Sequence, residues 1–462
     1  MDGLLCLTRR NMNPKNFYLI SLGCAKNTVD SESMSQLMMD AGCRAVEDPK
    51  KAGLLIVNTC GFIGPAREES FSVLRQLAAH KRPGQLLIAA GCLTQRYGME
   101  VARQVRGIDG ILGTRRWMDI VEVIRQLRST PHPQPVYHLP EVPTVGTDEK
   151  GVLRVAVQGG SAYLKIGDGC RRPCAFCAIP LIKGTAVSRP IAAILEEARA
   201  LRDAGVREIN LISQDTTDYG HDLGLKDGLA QLLEQLTAAV PEVEWLRVLY
   251  AYPGYVTDRL IEVMAAHPQI LPYLDIPLQH AHPQTLIRMK RPANIDWVYR
   301  TLEKMRAALP DRAPHGPLAI RTTFIVGYPG ESEEEFQALL DFVQELRFDR
   351  LGAFQFSFEP GTTSEPLGDP IPAQVKQERF DRLMTLQQTI SLEKNQALVG
   401  RTLNVLIEGL DAAQGIAIGR SYRDAPEIDG IVIVEGPAEI GQIVPVRITG
   451  GLAYDLAGVL AT

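Results

Sequence analysis

The chain has 462 residues, 45% of them hydrophobic and 22% charged, which is enough apolar material for about three domains of ~150 residues and excludes wholesale disorder. No apolar run approaches the ~20 residues of a membrane span, and Leu4-Leu5-Cys6-Leu7 is too short for a signal-peptide core, so a cytoplasmic protein with no membrane partner is expected. A formal net charge of −5 argues against a dedicated nucleic-acid binder, and eight cysteines in such a chain point to metal or redox chemistry rather than disulfides.

Residues 1–13 carry no periodic pattern and read as a flexible tail. Over 14–128, predicted strands at 17–22, 54–57 and 86–90 alternate with predicted helices at 31–40, 68–80 and 117–126. That alternation predicts an amino-terminal α/β domain with a parallel sheet covered by helices. Residues 129–151 hold Pro131, Pro133, Pro135, Pro140 and Pro143 and read as a linker too proline-rich for any element interior. Alternation resumes over 152–397, with strands at 163–166, 208–212, 245–249, 273–276, 319–326 and 350–356. Helical patterns at 191–204, 229–239 and 333–346 lie between them. Six βα units in one run predict a partial (β/α)6 barrel, short of the closed eight-unit form. Residues 376–397 read as a long helix leaving that domain. Over 398–462, strands at 403–407, 415–418, 431–434, 443–448 and 452–456 predict a small five-stranded antiparallel β-barrel. This last module has four Lys and Arg residues against eight Asp and Glu.

The cysteines form two groups. Cys170-Arg171-Arg172-Pro173-Cys174-Ala175-Phe176-Cys177 places three thiols just past the first barrel strand, on the face where barrel sites are built. Structural zinc takes four ligands, and no fourth Cys or nearby His stands here. Three cysteinates suit a 4Fe–4S cluster with one iron left open; three buried small residues are the plain alternative. Cys24, Cys60 and Cys92 each follow a strand of the first sheet beside a glycine, Gly23, Gly61 or Gly91. Singly each reads as core filler. Together they share the carboxyl edge of one parallel sheet, where ligands bind, and suggest a second cluster. Cys43 reads as packing, Cys6 as part of the tail, and Met34, Met38 and Met39 as core. Ser213, Gln214, Asp215, Gln279 and His280 end strands and are expected at the barrel mouth. Turn or cap roles for Gln214 and Asp215, and a structural role for His280, are the alternatives.

Residues 170–177, with Phe176 before the last cysteine, resemble the cluster motif of radical S-adenosylmethionine enzymes. Ser21-Leu22-Gly23-Cys24, Asn58-Thr59-Cys60-Gly61 and Ala90-Gly91-Cys92 resemble the methylthiotransferase domain, and the terminal barrel resembles a TRAM domain. Within methylthiotransferases the chain is similar to the RimO branch, which modifies an aspartate of small-subunit ribosomal protein twelve. Ser21-Leu22-Gly23-Cys24-Ala25-Lys26-Asn27, residues 273–280 and Asp424-Ala425-Pro426-Glu427-Ile428-Asp429-Gly430 carry that likeness; Ala25 stands where the branch more often has Pro.

The resemblance implies two 4Fe–4S clusters, one on Cys170, Cys174 and Cys177 and one on Cys24, Cys60 and Cys92. It implies S-adenosylmethionine at the former, with Phe176, Gln214, Asp215, Gly327 and Glu331 as cofactor contacts, the last two in the turn Gly327-Tyr328-Pro329-Gly330-Glu331. A radical from that cofactor would take hydrogen from the aspartate β-carbon, and sulfur would arrive from the other cluster. A second S-adenosylmethionine would give the methyl group. A low-potential electron donor is then required, and no catalytic residue beyond the cluster ligands. The acidic last module suits a basic ribosomal protein better than tRNA, with Asp424, Glu427 and Asp429 as docking acids and no stable nucleic-acid binding by the TRAM domain. Two alternatives stand beside this: a tRNA adenosine methylthiotransferase, and a non-enzymatic iron–sulfur protein that binds RNA or carries electrons. The latter leaves the three-cysteine groups unexplained, since carrier clusters usually have four ligands.

Overall fold

The computed structural model describes residues 13–129, 134–140, 150–311, 315–411, 413 and 415–461. Cys6 and nearly all of the expected tail lie outside them.

In the first domain the apolar runs Ala52–Thr59 and Leu86–Gly91 are buried on both faces, as central strands of a parallel sheet must be. The all-parallel sheet runs Arg44–Ala45, Asn13–Ser21, Ala52–Thr59, Leu86–Gly91, Gly110–Gly113, Val136–His138. Helices Ala25–Asp40, Gly64–Ala79, Cys92–Gln104 and Ile120–Ser129 cover it. Val136–His138 corrects the reading of 129–151 as free of elements. It pairs with Gly110–Gly113 as an outer strand, and an outer strand tolerates flanking prolines because one side needs no ladder partner. Met34 and Met38 are buried in this domain's core, whereas Met39 is 49% exposed.

The central domain places six parallel strands in chain order: Ser161–Lys165, Glu208–Ile212, Trp245–Val248, Tyr273–Asp275, Ala319–Val326 and Arg350–Gln355. They form two hydrogen-bonded sheets joined by a bridge between Leu246 and Ile270. The two-residue strand period separates the faces. Leu164, Ile209, Leu211, Leu246, Leu274 and Ile320 pack in one core with residues of the surrounding helices. The alternate positions bear Tyr163, Glu208, Arg247, Tyr273, Asp275 and Arg321, so the barrel interior is aromatic and charged.

The helix Ala373–Gln396 leads to a closed barrel of Thr402–Asp411, Ile416–Ser421, Val432–Glu435, Ile443–Gly451 and Leu456–Leu460. Four of its pairings are antiparallel, and Val432–Glu435 runs parallel to Leu456–Leu460. Between its second and third strands the chain enters the charged interior of the central domain. Arg420 bonds Glu208 at 2.5 Å, and Arg247 donates to the Tyr422 carbonyl at 2.7 Å. Asp424 accepts from Arg350 at 2.9 Å and from the Ser421 hydroxyl at 2.7 Å. Asp429 accepts from Arg321 at 3.2 Å and from the Tyr273 hydroxyl at 2.9 Å. The expected acidic docking face is therefore corrected. Asp424 and Asp429 turn inward because buried arginines need counter-charges. Only Glu427 is exposed, and it accepts from Gln158 at 2.5 Å.

Candidate functional site

The three turns that carry Cys24, Cys60 and Cys92 crowd one edge of the first sheet. Cys24 caps Ala25–Asp40, Cys60 follows Ala52–Thr59, and Cys92 opens Cys92–Gln104. Their closeness explains two glycines. A Cβ at Gly23 (φ +94°) would lie 2.8 Å from that of Cys60, and one at Gly91 (φ +101°) 2.5 Å from the Thr59 carbonyl. Asn27 ties the turns together: its amide nitrogen donates to the Leu22 carbonyl at 2.8 Å and the Thr59 carbonyl at 3.0 Å. Its amide oxygen accepts from the Cys92 thiol at 3.6 Å.

The second triad comes from one loop. The Cys170 N–H donates to the Gly184 carbonyl at 3.1 Å, that of Cys177 to the Cys174 carbonyl at 3.1 Å, and that of Ala175 to the Met289 carbonyl at 2.9 Å. Arg172 stacks 3.6 Å from the Tyr255 ring centroid and bonds Asp215 at 2.5 Å. Arg291 lies over the Tyr252 ring and directs Nη1 to Cys174 Sγ at 3.5 Å.

All six cysteines line a single cavity of about 410 Å³ between the first domain and the mouth of the central barrel. The last domain reaches it through Ile428. Lys183 also lines it and is fixed by Asp30 of the first domain at 2.9 Å. Asp30 takes Lys165 at 2.6 Å, and Lys165 takes Asp168 at 2.6 Å, so a buried ion network locks the two domains across the site. Burial pushes the thiols of Cys60 and Cys170 up to about 11 and those of Cys92 and Cys177 up to about 12. Without metal they keep their protons at neutral pH, and loading must displace them. Among the described residues no three His, Cys, Asp or Glu side chains are arranged to hold a single metal ion. The donor set instead offers three soft thiols on each of two sides of a broad cavity, which fits thiolate-held iron–sulfur clusters.

The other expected site residues divide. Phe176 lines the cavity from a small core of Met289, Ile325, Tyr328 and Phe356, and Gln214 lines it with its buried Oε1 unpartnered among the described residues. Gln279 lines it from left-handed backbone, φ +74°. The structure does not bring Asp215, Gly327 or Glu331 to the lining. Asp215 instead holds Arg172 and accepts from the Thr217 hydroxyl at 2.6 Å. A Cβ at Gly327 would collide with the Lys376 side chain. Glu331 accepts from the Tyr328 N–H at 3.0 Å and pairs with Arg379 at 3.0 Å, tying its turn to Ala373–Gln396; burial raises its carboxyl to about 7. Ser213 is buried off the cavity. His280 faces a separate pocket of about 170 Å³, its Nδ1 accepts from the His282 N–H at 2.9 Å, and burial lowers it to about 3. Sequence reasoning missed Lys26, Asn27, Lys183, Tyr250 and Arg291. Only the first two carried a signal, standing two and three residues after Cys24.

Three family descriptions match: the uncharacterized protein family UPF0004 over residues 16–113, the Radical SAM superfamily over 164–343 and the TRAM domain over 399–460. The chain is 50% identical to "Ribosomal protein uS12 methylthiotransferase RimO" of Chloroflexus aurantiacus over 96% of its own length and 99% of the relative's. Proteins of the same name from Roseiflexus sp. strain RS-1 and Symbiobacterium thermophilum are 47% and 44% identical, each over 96% of this chain and over 96% and 91% of the relative. Among solved structures, the radical S-adenosylmethionine methyltransferase TsrM from Kitasatospora setae, with cobalamin and a 4Fe–4S cluster bound, aligns over 77% of this chain and 74% of its own, with TM-score 0.53 and 14% identity. That likeness is one of fold.

Proposed function

Because the chain belongs to the RimO family of ribosomal protein uS12 methylthiotransferases, radical S-adenosylmethionine enzymes, we propose that it adds a methylthio group to the β-carbon of an aspartate in uS12. In this reading Cys170, Cys174 and Cys177 hold one 4Fe–4S cluster, where S-adenosylmethionine binds, and Cys24, Cys60 and Cys92 hold a second. The observation that supports it is the shared cavity, with one triad on each domain. Hydrogen on an unactivated carbon is beyond any acid or base at neutral pH, so that carbon must stand within reach of both a radical source and a sulfur source. When bound, the clusters and S-adenosylmethionine supply those two things.

The chain's own residues do the rest. Gln214 offers an unpartnered buried acceptor to an amine or hydroxyl of the cofactor, and Phe176 offers an apolar face beside it. The Arg172 backbone N–H donates to Cys170 Sγ at 3.5 Å and the Arg291 guanidinium to Cys174 Sγ at 3.5 Å, and both contacts favour anionic thiolates there. The Asp30–Lys165–Lys183 network holds the two triads at a fixed separation. A low-potential electron donor and a cytoplasmic setting belong to the same reading; among the described residues no helix is long and apolar enough to cross a membrane.

The test is direct. Anaerobically reconstituted protein, given reductant, S-adenosylmethionine and uS12, should yield uS12 carrying one methylthio group on an aspartate, located by tandem mass spectrometry. tRNA offered in parallel should stay unmodified. Methylthiolated tRNA with untouched uS12 would replace this reading with the tRNA adenosine one.

A further inference from the structure

Five cationic side chains line the cavity: Lys26, Arg172, Lys183, Arg291 and Arg321. Three are neutralised by carboxylates, Arg172 by Asp215 at 2.5 Å, Lys183 by Asp30 at 2.9 Å and Arg321 by Asp275 at 2.9 Å. Arg291 is directed at Cys174. Lys26 has no carboxylate within ion-pair distance among the described residues; its ammonium lies 3.3 Å from the centroid of the Tyr250 ring. We propose that Lys26 is the receptor for the side-chain carboxylate of the substrate aspartate. This rests on the function proposed above and names how that substrate is chosen.

The position is costly for a cation on two counts. Lys26 is only 9% exposed, and it stands in the first turn of Ala25–Asp40, where the helix dipole favours an anion. A buried ammonium there calls for a counter-charge, and the aromatic ring offsets only part of the cost. The ring is held in an unusual way. Tyr250 has φ +63°, a left-handed conformation rare for a bulky residue. Its N–H donates to Asp275 at 2.9 Å, and its carbonyl accepts from Thr216 at 3.1 Å. Asp275 is thereby committed to Tyr250 and Arg321, leaving Lys26 open to the cavity. A substrate carboxylate completes the set. Its carbon is bonded to the β-carbon, so anchoring it on Lys26, two residues after Cys24, brings the reacting carbon to the side of the triad assigned to sulfur delivery. Adenosine has no carboxylate, so the same residue separates a protein substrate from a nucleoside.

The experiment measures binding of uS12, and of uS12 with Asn in place of the modified aspartate, to the anaerobically reconstituted protein. Wild type should prefer the aspartate form by about 10- to 100-fold, the range of a charged hydrogen bond. Lys26→Met should bind both forms equally with unchanged iron content, and Lys26→Arg should restore part of the preference. Retained preference in Lys26→Met overturns the proposal, as does wild type binding both forms equally. Loss of about half the iron in Lys26→Met also overturns it, since Lys26 would then be the counter-charge of the neighbouring cluster. Failure of wild type to methylthiolate uS12 at all is a different result, which removes the substrate and the receptor role together.

Discussion

Cys60 and Cys174 stand for the two halves of the site, and a single substitution at either tests a whole triad. Cys60→Ala should lower the iron content after full reconstitution from about eight to about four per chain. Cys174→Ala should lower it equally and should also abolish reductive cleavage of S-adenosylmethionine, read by chromatography of the products. A Cys60→Ala protein that keeps all its iron would return that residue to packing. The positions of the six cysteines were legible because three of them each follow a strand of one parallel sheet, whose ends share an edge, and the other three stand within eight residues of one loop. Residues that act through tertiary contact were not. Nothing local in Arg291 or Tyr250 says that one will meet Cys174 and the other Lys26. Glu331 was misread because a glycine-bearing turn after a strand suits a cofactor and a helix equally well, and here it holds the helix Ala373–Gln396.

The turn at Gly91 shows how elements carry the site. Its backbone has φ +101°, where a Cβ costs about 1–3 kcal/mol. The added methyl would also press on the Thr59 carbonyl 2.5 Å away. Gly91→Ala should therefore lower the melting temperature and lose the iron of the first triad while retaining that of the second, measured by circular dichroism and iron counting. Unchanged melting and unchanged iron would mean that the turns part freely. The long runs were readable: Glu208–Ile212 and Ala319–Val326 begin and end where the sequence places them. Gly110–Gly113 was missed because two apolar residues between glycines give no alternation to count, and Val136–His138 because prolines flank it. The parallel pairing of Val432–Glu435 with Leu456–Leu460 follows from barrel closure, which no local pattern contains.

At the scale of the whole molecule, buried ion pairs bind the domains into one body. Against burial, which would raise it, Arg420 and Arg247 hold the Glu208 carboxyl down to about 2. Arg420→Met removes one of those two partners, and leaving a buried charge short of its partner costs about 3–5 kcal/mol. The midpoint of denaturant unfolding should fall accordingly; an unchanged midpoint would show that water reaches Glu208 readily. The excess of acids in the last domain looked like a surface for a basic partner. A count of charges gives sign but not destination, and Asp424 and Asp429 go inside.

The segment between the second and third strands of the terminal barrel also fixes a schedule for the chain's own birth. Arg247 waits for a carbonyl 175 residues further along, Arg321 waits 108 residues for Asp429, and Glu208 waits 212 residues for Arg420 at the end of the preceding strand. While the polypeptide is being synthesised, the catalytic domain is a half-built shell with a wet, charged interior. Its last step of folding comes only after translation has passed residue 429. A product terminated before residue 424 lacks Ile428 of the cavity lining and the carboxylates that Arg350 and Arg321 face, so its reactive centre stays unfinished.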